Sequence, residues 1–422
     1  MRNSQHAKVM RGVRLVGIGA LLAFLFLLSP GSALGRKKKA EPPAKQETPI
    51  LARLDYSRIV WPNPPEITRI KFVDFFLGQP AEAQQTKQHS SWMDRLAGTE
   101  PGSQKGYSTP LRYQLWTPYG LAVDSDGRLY VADARVGAIF IFDPKDKNNI
   151  QLIKNGGAAH FGTIIGLAID DDDRLFVSDS KFHHVLVFSP DHKVQASMGE
   201  GMAEPAGVAI DRENRFLYVA DTELDQVLVY DADSFKLLRK IGTPGHHHEL
   251  TTPGDFAKPT NVAVDKDGNL YVADTLNDRV EIFDADGEFI RAFGKNGDGP
   301  GYFARPKGIA VDSDGHVWVA DAVQNRVQVF DRYGRLLIWM GGPGLLPGQF
   351  SAVAGLTIDP KNRVFTSEQY PGRVQMFQYV TQAEALTEYE RREAERQKPA
   401  AQPTGAAQPT QSAPPAAGSG TQ

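Results

Sequence analysis

The 422-residue chain contains no cysteine. That absence excludes a disulfide framework, an iron–sulfur cluster, covalent c-type haem, a thiolate zinc site, a cysteine nucleophile and a lipidated N-terminal cysteine. Net charge is scarce too: 47 Lys and Arg against 50 Asp and Glu leave −3. The bulk balance therefore gives no reason to expect a nucleic-acid partner. Turn-forming residues, by contrast, are plentiful. Forty Gly and 28 Pro require frequent turns and argue against a helical bundle. A hydrophobic content of 41% is enough for one large domain or two ordinary ones.

The two ends differ from the middle. Residues 1–35 combine Arg2, Lys8, Arg11 and Arg14 with an apolar run from Leu15 to Leu28, then Pro30, Gly31 and small residues. This reads as an export signal or a membrane anchor; Pro30 and Gly31 would break a spanning helix near its end and favour cleavage. Arg36 to Lys39 leave both flanks positive, so charge does not choose an orientation. Either way the expected location is outside the cytoplasm, periplasmic or at the cell surface. Residues 36–65 are basic and Pro-rich and read as a tether. Residues 381–397 read as a charged, solvated or weakly docked helix with an apolar face of Ala383, Leu386 and Tyr389. Residues 398–422, rich in Ala, Pro and Gln, cannot bury enough apolar surface to fold.

Between these ends, residues 66–380 repeat. Units begin GLAVDSDGRLYVAD at Gly120, GLAIDDDDRLFVSD at Gly166, GVAIDRENRFLYVAD at Gly207, NVAVDKDGNLYVAD at Asn261, GIAVDSDGHVWVAD at Gly308 and GLTIDPKNRVFTSE at Gly355. Their first acids, from Asp124 to Asp359, are spaced 46, 41, 54, 47 and 47 residues apart. Within each unit the hydrophobic period is two, with turn residues between short runs, which predicts four antiparallel strands. Four strands and about 45 residues are the dimensions of a propeller blade.

Residue sizes fit radial packing. Small residues (Ala122, Ala168, Ala209, Ala263, Ala310, Thr357) centre each first strand, where six strands crowd the axis. One aromatic in each second strand, Tyr130 to Phe365, and one ending each third strand, Phe142 to Phe377, are expected to fill the widening wedges. The sixth unit lacks a fourth strand, and ITRIKFVDFFLG (Ile67 to Gly78) matches the fourth-strand pattern. It is expected to close the ring and remove an exposed edge. The fold class is thus all-β, a six-bladed propeller of four-stranded blades.

The phrases KPTNVAVDKDGNLYVADTLNDRVEIFDADGEFIRAFG and RPKGIAVDSDGHVWVADAVQNRVQVFDRYGRLLIWMG resemble NHL repeats, over Leu115 to Val380. The resemblance implies a six-bladed NHL propeller. Such rings serve as protein- or RNA-binding platforms, and related ones include lyases and lactonases, so fold alone does not fix function. Export argues against the RNA role. Ile164 and Val353 depart from the Pro of the other units, and Glu368 from the Asp.

Asp133, Asp179, Asp221, Asp274, Asp321 and Glu368 end the second strands and are expected to accept backbone N–H groups. Asp-x-Asp-Gly at Asp124, Asp265 and Asp312 lacks the further ligands of a calcium loop and reads as turn chemistry; Asp170 to Asp173 is the better cation candidate. His246, His247, His248 and Glu249 lie in the long connection before the fourth unit, a poor spacing for a closed metal set. His160, His183 and His184 are expected on the same face. The positions leading into the first strands hold Tyr119, Ile165, Ala206, Thr260, Lys307 and Ala354, with no ligand trio and no acid–base pair. The Gly-rich stretches Gly294–Gly301 and Gly341–Gly348 precede no predicted helix and read as connections.

The expected function is a scaffold that binds a protein or cell-envelope component through its loop face. The residues expected to do so are Tyr119, Thr260, Lys307 and His246 to Glu249, with no catalytic residue, metal or cofactor. The alternative is a lyase or hydrolase, with or without a metal, working in the axial cavity.

Overall fold

A computed structural model describes residues 55–79, 113–244 and 252–396. The N-terminal apolar run, most of the tether, His246 to Glu249 and the C-terminal tail lie outside the described residues. No helix among the described residues is long and apolar enough to cross a membrane.

The repeat folds as six antiparallel sheets in a ring. In the fourth unit, the strands Pro259–Val264, Leu270–Asp274, Arg279–Phe283 and Phe289–Phe293 pair in sequence order. The other units repeat this order. Their tight turns need a left-handed residue, supplied by Gly127, Gly268 and Gly315 in three units and by Asp173, Arg215 and Asn362 in the others. Each first strand adjoins the next, and Val353–Ile358 of the sixth blade adjoins Pro118–Val123 of the first, so the ring closes.

Closure uses the spare strand. Ile70–Phe76 pairs with Arg373–Tyr379 from Ile70↔Tyr379 to Phe76↔Val374. The ordered segment also begins earlier than the tether boundary at 65 implies. Val60–Trp61 pairs onto Ile70–Phe76 as a fifth strand, and the Trp61 ring packs 5.8 Å from Phe377. A Pro-rich composition hid this short strand, because its order comes from one tryptophan rather than from an alternating pattern.

The two series of aromatics are all buried, from Tyr130 and Phe176 to Phe330 and Phe377. They pack between blades: Trp318 and Val329 of the fifth blade share a cluster with Val364 and Phe377 of the sixth and with Ile70 and Phe72 of the closing strand. Near the axis the blades approach so closely that a Cβ on Gly355 would lie 2.0 Å from the Tyr119 carbonyl oxygen. The glycine that opens five of the six units is therefore a packing requirement; the fourth unit tolerates Asn261 there.

The charged helix is present as α1, Gln382–Arg396. Its docked side is not the Ala383, Leu386 and Tyr389 stripe, for Leu386 and Tyr389 are 42% and 44% exposed. Ala385 is buried instead, with Glu388 reaching Arg392 (2.7 Å) and Lys71 of the closing strand (3.9 Å). Ala385 and polar contacts such as Arg69 to Gln382 and Lys71 to Glu388 seat the helix, so the apolar stripe is not its buried side.

Candidate functional site

The six first strands surround an axial cavity of about 350 Å³. Its wall is small and β-branched: Ala122, Ala168 and Ala263 midway, with Val123, Ile169 and Val264 beyond them. The six positions expected to lead into the first strands are the second residues of those strands, and all six line the cavity, so Tyr119, Thr260 and Lys307 meet at one mouth. The Lys307 ammonium donates to the Tyr119 hydroxyl at 3.2 Å and lies 5.5 Å from the centre of that ring. Thr260 Oγ1 sits 2.6 Å from Thr275 Oγ1 and donates to the Lys307 carbonyl at 3.4 Å. The six leading positions offer an ammonium and two hydroxyls but no imidazole or carboxylate; Ser180, Glu204 and Thr222 also line the cavity.

The acids that end the second strands are structural. Asp133 accepts from the N–H groups of Trp116, Thr117, Arg135 and Val136 at 2.6–3.1 Å. Asp321 does the same for Ala304, Arg305, Val323 and Gln324. Asp133, Asp179, Asp221 and Asp321 thus clamp both the preceding connection and the following loop, where turn chemistry anticipated the loop alone. Asp274 and Glu368 depart from this: they hold the preceding connection at Ala257 and Ser351 but turn to Arg279 and Arg373 rather than to loop N–H groups. The first-strand acids also serve turns: Asp265 accepts from the N–H groups of Asp267 and Asn269, each at 2.9 Å.

Asp170, Asp171 and Asp172 are the one group among the described residues whose carboxylates converge at metal-ligand spacing. Cations of the protein already occupy them. Arg215 contacts Asp170 and Asp171 at 3.1 and 2.6 Å, and Arg174 contacts Asp170 at 2.8 Å. That ion-pair cluster joins the second and third blades and is not a vacant cation site. His160 and His184 are brought together as expected, but with the Phe182 ring between them, 5.1 Å from His160 and 5.9 Å from His184. Burial lowers the His184 pKa.

One Asp–His pair went unread in the sequence. His316 Nδ1 lies 3.0 Å from Asp312 and 3.2 Å from the Tyr379 hydroxyl, beside a cleft of about 450 Å³. The Asp312 hydrogen bond raises its pKa. His316 occupies the place where Arg128, Arg174 and Arg363 bond their own turn aspartates, so it substitutes for a turn residue. Its hydroxyl partner, Tyr379, also donates to Asp314 at 2.8 Å.

Comparison with known families agrees with this geometry. The NHL repeat model matches residues 115–142, and a six-bladed β-propeller family model matches residues 249–338. The chain is an NHL-repeat six-bladed β-propeller. A relative is a probable peptidyl-alpha-hydroxyglycine alpha-amidating lyase of Caenorhabditis elegans, 35% identical over 106 residues. The match spans 24% of this propeller chain and 28% of that relative. Among solved structures, a protein of unknown function from Bacteroides thetaiotaomicron is 16% identical with a TM-score of 0.50, covering 63% of this chain and 70% of its own. Virginiamycin B lyase from Staphylococcus aureus is 13% identical with a TM-score of 0.46, covering 63% and 95%. These two likenesses concern the fold alone.

The propeller's two faces differ chemically. On the face bearing the mouth, the loops between second and third strands each present an apolar tip in five blades: Val136, Phe182, Leu276, Val323 and Tyr370, 37–62% exposed. Leu224 of the third blade is half-buried. Leu345 and Leu346, on the connection into the sixth blade, are 52% and 63% exposed. Most other exposed large apolar residues among the described ones lie on outer strands or α1; the opposite face has Tyr333, clasped by Arg291, Arg332 and Arg335. Sequence reasoning missed these tips because a single apolar residue in a loop has no periodicity.

Proposed function

We propose that this propeller is an exported, N-terminally tethered binding platform whose mouth face docks on another component of the cell envelope. The observation that carries this reading is the concentration of protruding apolar tips on the face where Tyr119, Thr260 and Lys307 meet. Exposed apolar side chains gathered on one face of a rigid ring mark an interaction surface. A photo-cross-linking residue placed at Val323 or Tyr370 should form adducts in intact cells, and one placed at Asp267 on the opposite face should not. Equal adducts from both faces, or none from either, would sink the proposal.

A second reading, an axial lyase or hydrolase, draws on the local likeness to the amidating lyase and on the cavity itself. Against it stands the absence of an imidazole or a ligand trio at the leading positions, although Glu204 joins Lys307 in the cavity lining. A stoichiometric, tightly held divalent ion in purified protein, released on substitution of axial residues, would favour this second reading over the first.

A further inference from the structure

We propose that the surface met by the mouth face is an anionic lipid bilayer. This rests on the reading above that the mouth face is the binding face.

The apolar tips are of a kind that suits a bilayer better than a folded partner. A protein interface gathers its apolar side chains into one packed core with charges at the rim. Here each tip stands on a separate blade, and cations are interleaved with aromatic rings rather than kept outside them. Arg135 lies 4.3 Å over the Trp116 ring, Lys295 4.3 Å over Tyr302, and Lys181 5.9 Å from Phe182. Lys307 and Tyr119 repeat the pairing at the mouth. None of these four cations joins an ion pair among the described residues. Amphipathic rings beside Lys and Arg, with aliphatic tips between them, match the layered chemistry of a headgroup region. Acids are present on this face as well: Glu204 and Glu223 are answered by Lys258 at 4.0 and 3.1 Å, while Glu200 and Asp298 stand exposed on the connections between blades.

The opposite face lacks this array. The exposed acids of its turns between first and second strands are largely answered within the protein, Asp126 by Arg128, Asp171 and Asp172 by Arg215, and Asp267 by Lys266. Its exposed ring, Tyr333, is enclosed by Arg291, Arg332 and Arg335 with no aliphatic tips beside it. The sequence upstream of Asp55 adds the apolar run Leu15 to Leu28 and the basic group Arg36 to Lys39. An anchor retained there would keep the ring at high local concentration beside the bilayer, so weak insertion at each tip would suffice.

The test uses the full chain, which has no native cysteine to interfere with labelling. An environment-sensitive dye is attached through Leu346→Cys on the mouth face and, separately, Asp267→Cys on the opposite face. Each protein is mixed with phosphatidylcholine vesicles with or without phosphatidylglycerol, carrying lipid-bound quenchers. Because the upstream apolar segment can itself bind vesicles, the readout is quenching at each label, not total binding. The Leu346 label should be quenched at least fivefold more in anionic vesicles than in neutral ones, and the Asp267 label in neither. Replacing Arg135, Lys181 and Lys295 together by Ala should bring the anionic value down to the neutral one, since each surface cation contributes roughly fivefold. Equal quenching at both labels, or indifference to phosphatidylglycerol, overturns the proposal. If the Leu346 label ignores both vesicles while Val323 still cross-links in cells, the partner is a protein, and the lipid proposal fails alone. If neither responds, the binding-face reading fails with it.

Discussion

Glu281 is fully buried in the third strand of the fourth blade, where its neighbours in the fifth and sixth blades carry Gln328 and Gln375. All three accept an N–H from the preceding connection, at Gly254, Gly301 and Gly348, each at 2.8 Å. Only Glu281 brings a charge to the job. Arg279 contacts it at 2.7 Å but also contacts Asp274 at 2.8 Å, so one guanidinium serves two buried carboxylates. Desolvation outweighs the shared cation and lifts the Glu281 pKa to about 7. The unfolded chain ionises this group near 4.5. Between those values the folded state holds a proton that the unfolded state has released. Stability from this group is therefore fully present below pH 4.5 and declines as pH rises through about 7, by roughly 2–3 kcal/mol. Glu281→Gln copies the arrangement of the sixth blade, where Gln375 sits beside Arg373 and Glu368. Denaturant titrations from pH 4.5 to 8 should show the wild type losing stability relative to this variant as pH rises; parallel curves would refute the protonated carboxyl. In the sequence, VEIF looks like an ordinary alternating strand with Glu281 facing outward. Its burial follows from a connection folding over the strand, a long-range contact that alternation does not encode.

At the scale of elements, the seams between blades are not equivalent. Ser367 Oγ accepts from Gly355 N–H at 2.8 Å within the sixth blade and donates to the Tyr119 carbonyl of the first at 2.7 Å. Ser178 does the same between the second and third blades, from Gly166 N–H to the Ala206 carbonyl. Thr275 donates to Pro306 between the fourth and fifth at 2.7 Å. Ala132, Ala220 and Ala320 stand where Ser178 and Ser367 do in the second strands. Ser367→Ala leaves a buried N–H and a buried carbonyl unpaired, which costs about 1–3 kcal/mol. Ala320→Ser, at a seam without such a clip, should recover nothing comparable. Thermal melts of the two variants check this; equal midpoints would show that water replaces the hydroxyl. The tips of the mouth face pose the opposite problem. Val136 and Phe182 lie three residues after their strand-end acid, whereas Leu276, Val323 and Tyr370 lie two after theirs. Without a fixed offset the eye finds no column of apolar residues, although the ring brings them to one face.

For the whole molecule, the sixfold spacing, the two aromatic series and one missing strand were enough to read the ring from the sequence. These features recur, and recurrence survives without coordinates. The mouth was legible in part for the same reason: Tyr119, Thr260 and Lys307 hold a fixed place, second in their first strands. Closure makes the strongest demand on the whole chain, because Ile70–Phe76 is separated by some 300 residues of sequence from its partner Arg373–Tyr379. Ile70, Phe72 and Phe76 are buried in two different clusters, one toward the fifth blade and one toward the first. The strand therefore fills both seams of the last blade as well as its edge. Removing residues through Trp61 strips the two-residue fifth strand together with Tyr56 and Ile59, which cover the edge of one cluster, and should lower the melting temperature modestly. Removing residues through Gly78 exposes the backbone edge of Arg373–Tyr379 and opens both clusters. That second truncation should lose cooperative unfolding and associate through the bared edge, seen as broadened melts and higher-mass species in light scattering. If it stays monomeric with an unchanged melt, closure rests on the first strands at the axis alone, and the strand is an ornament to a ring that holds itself shut.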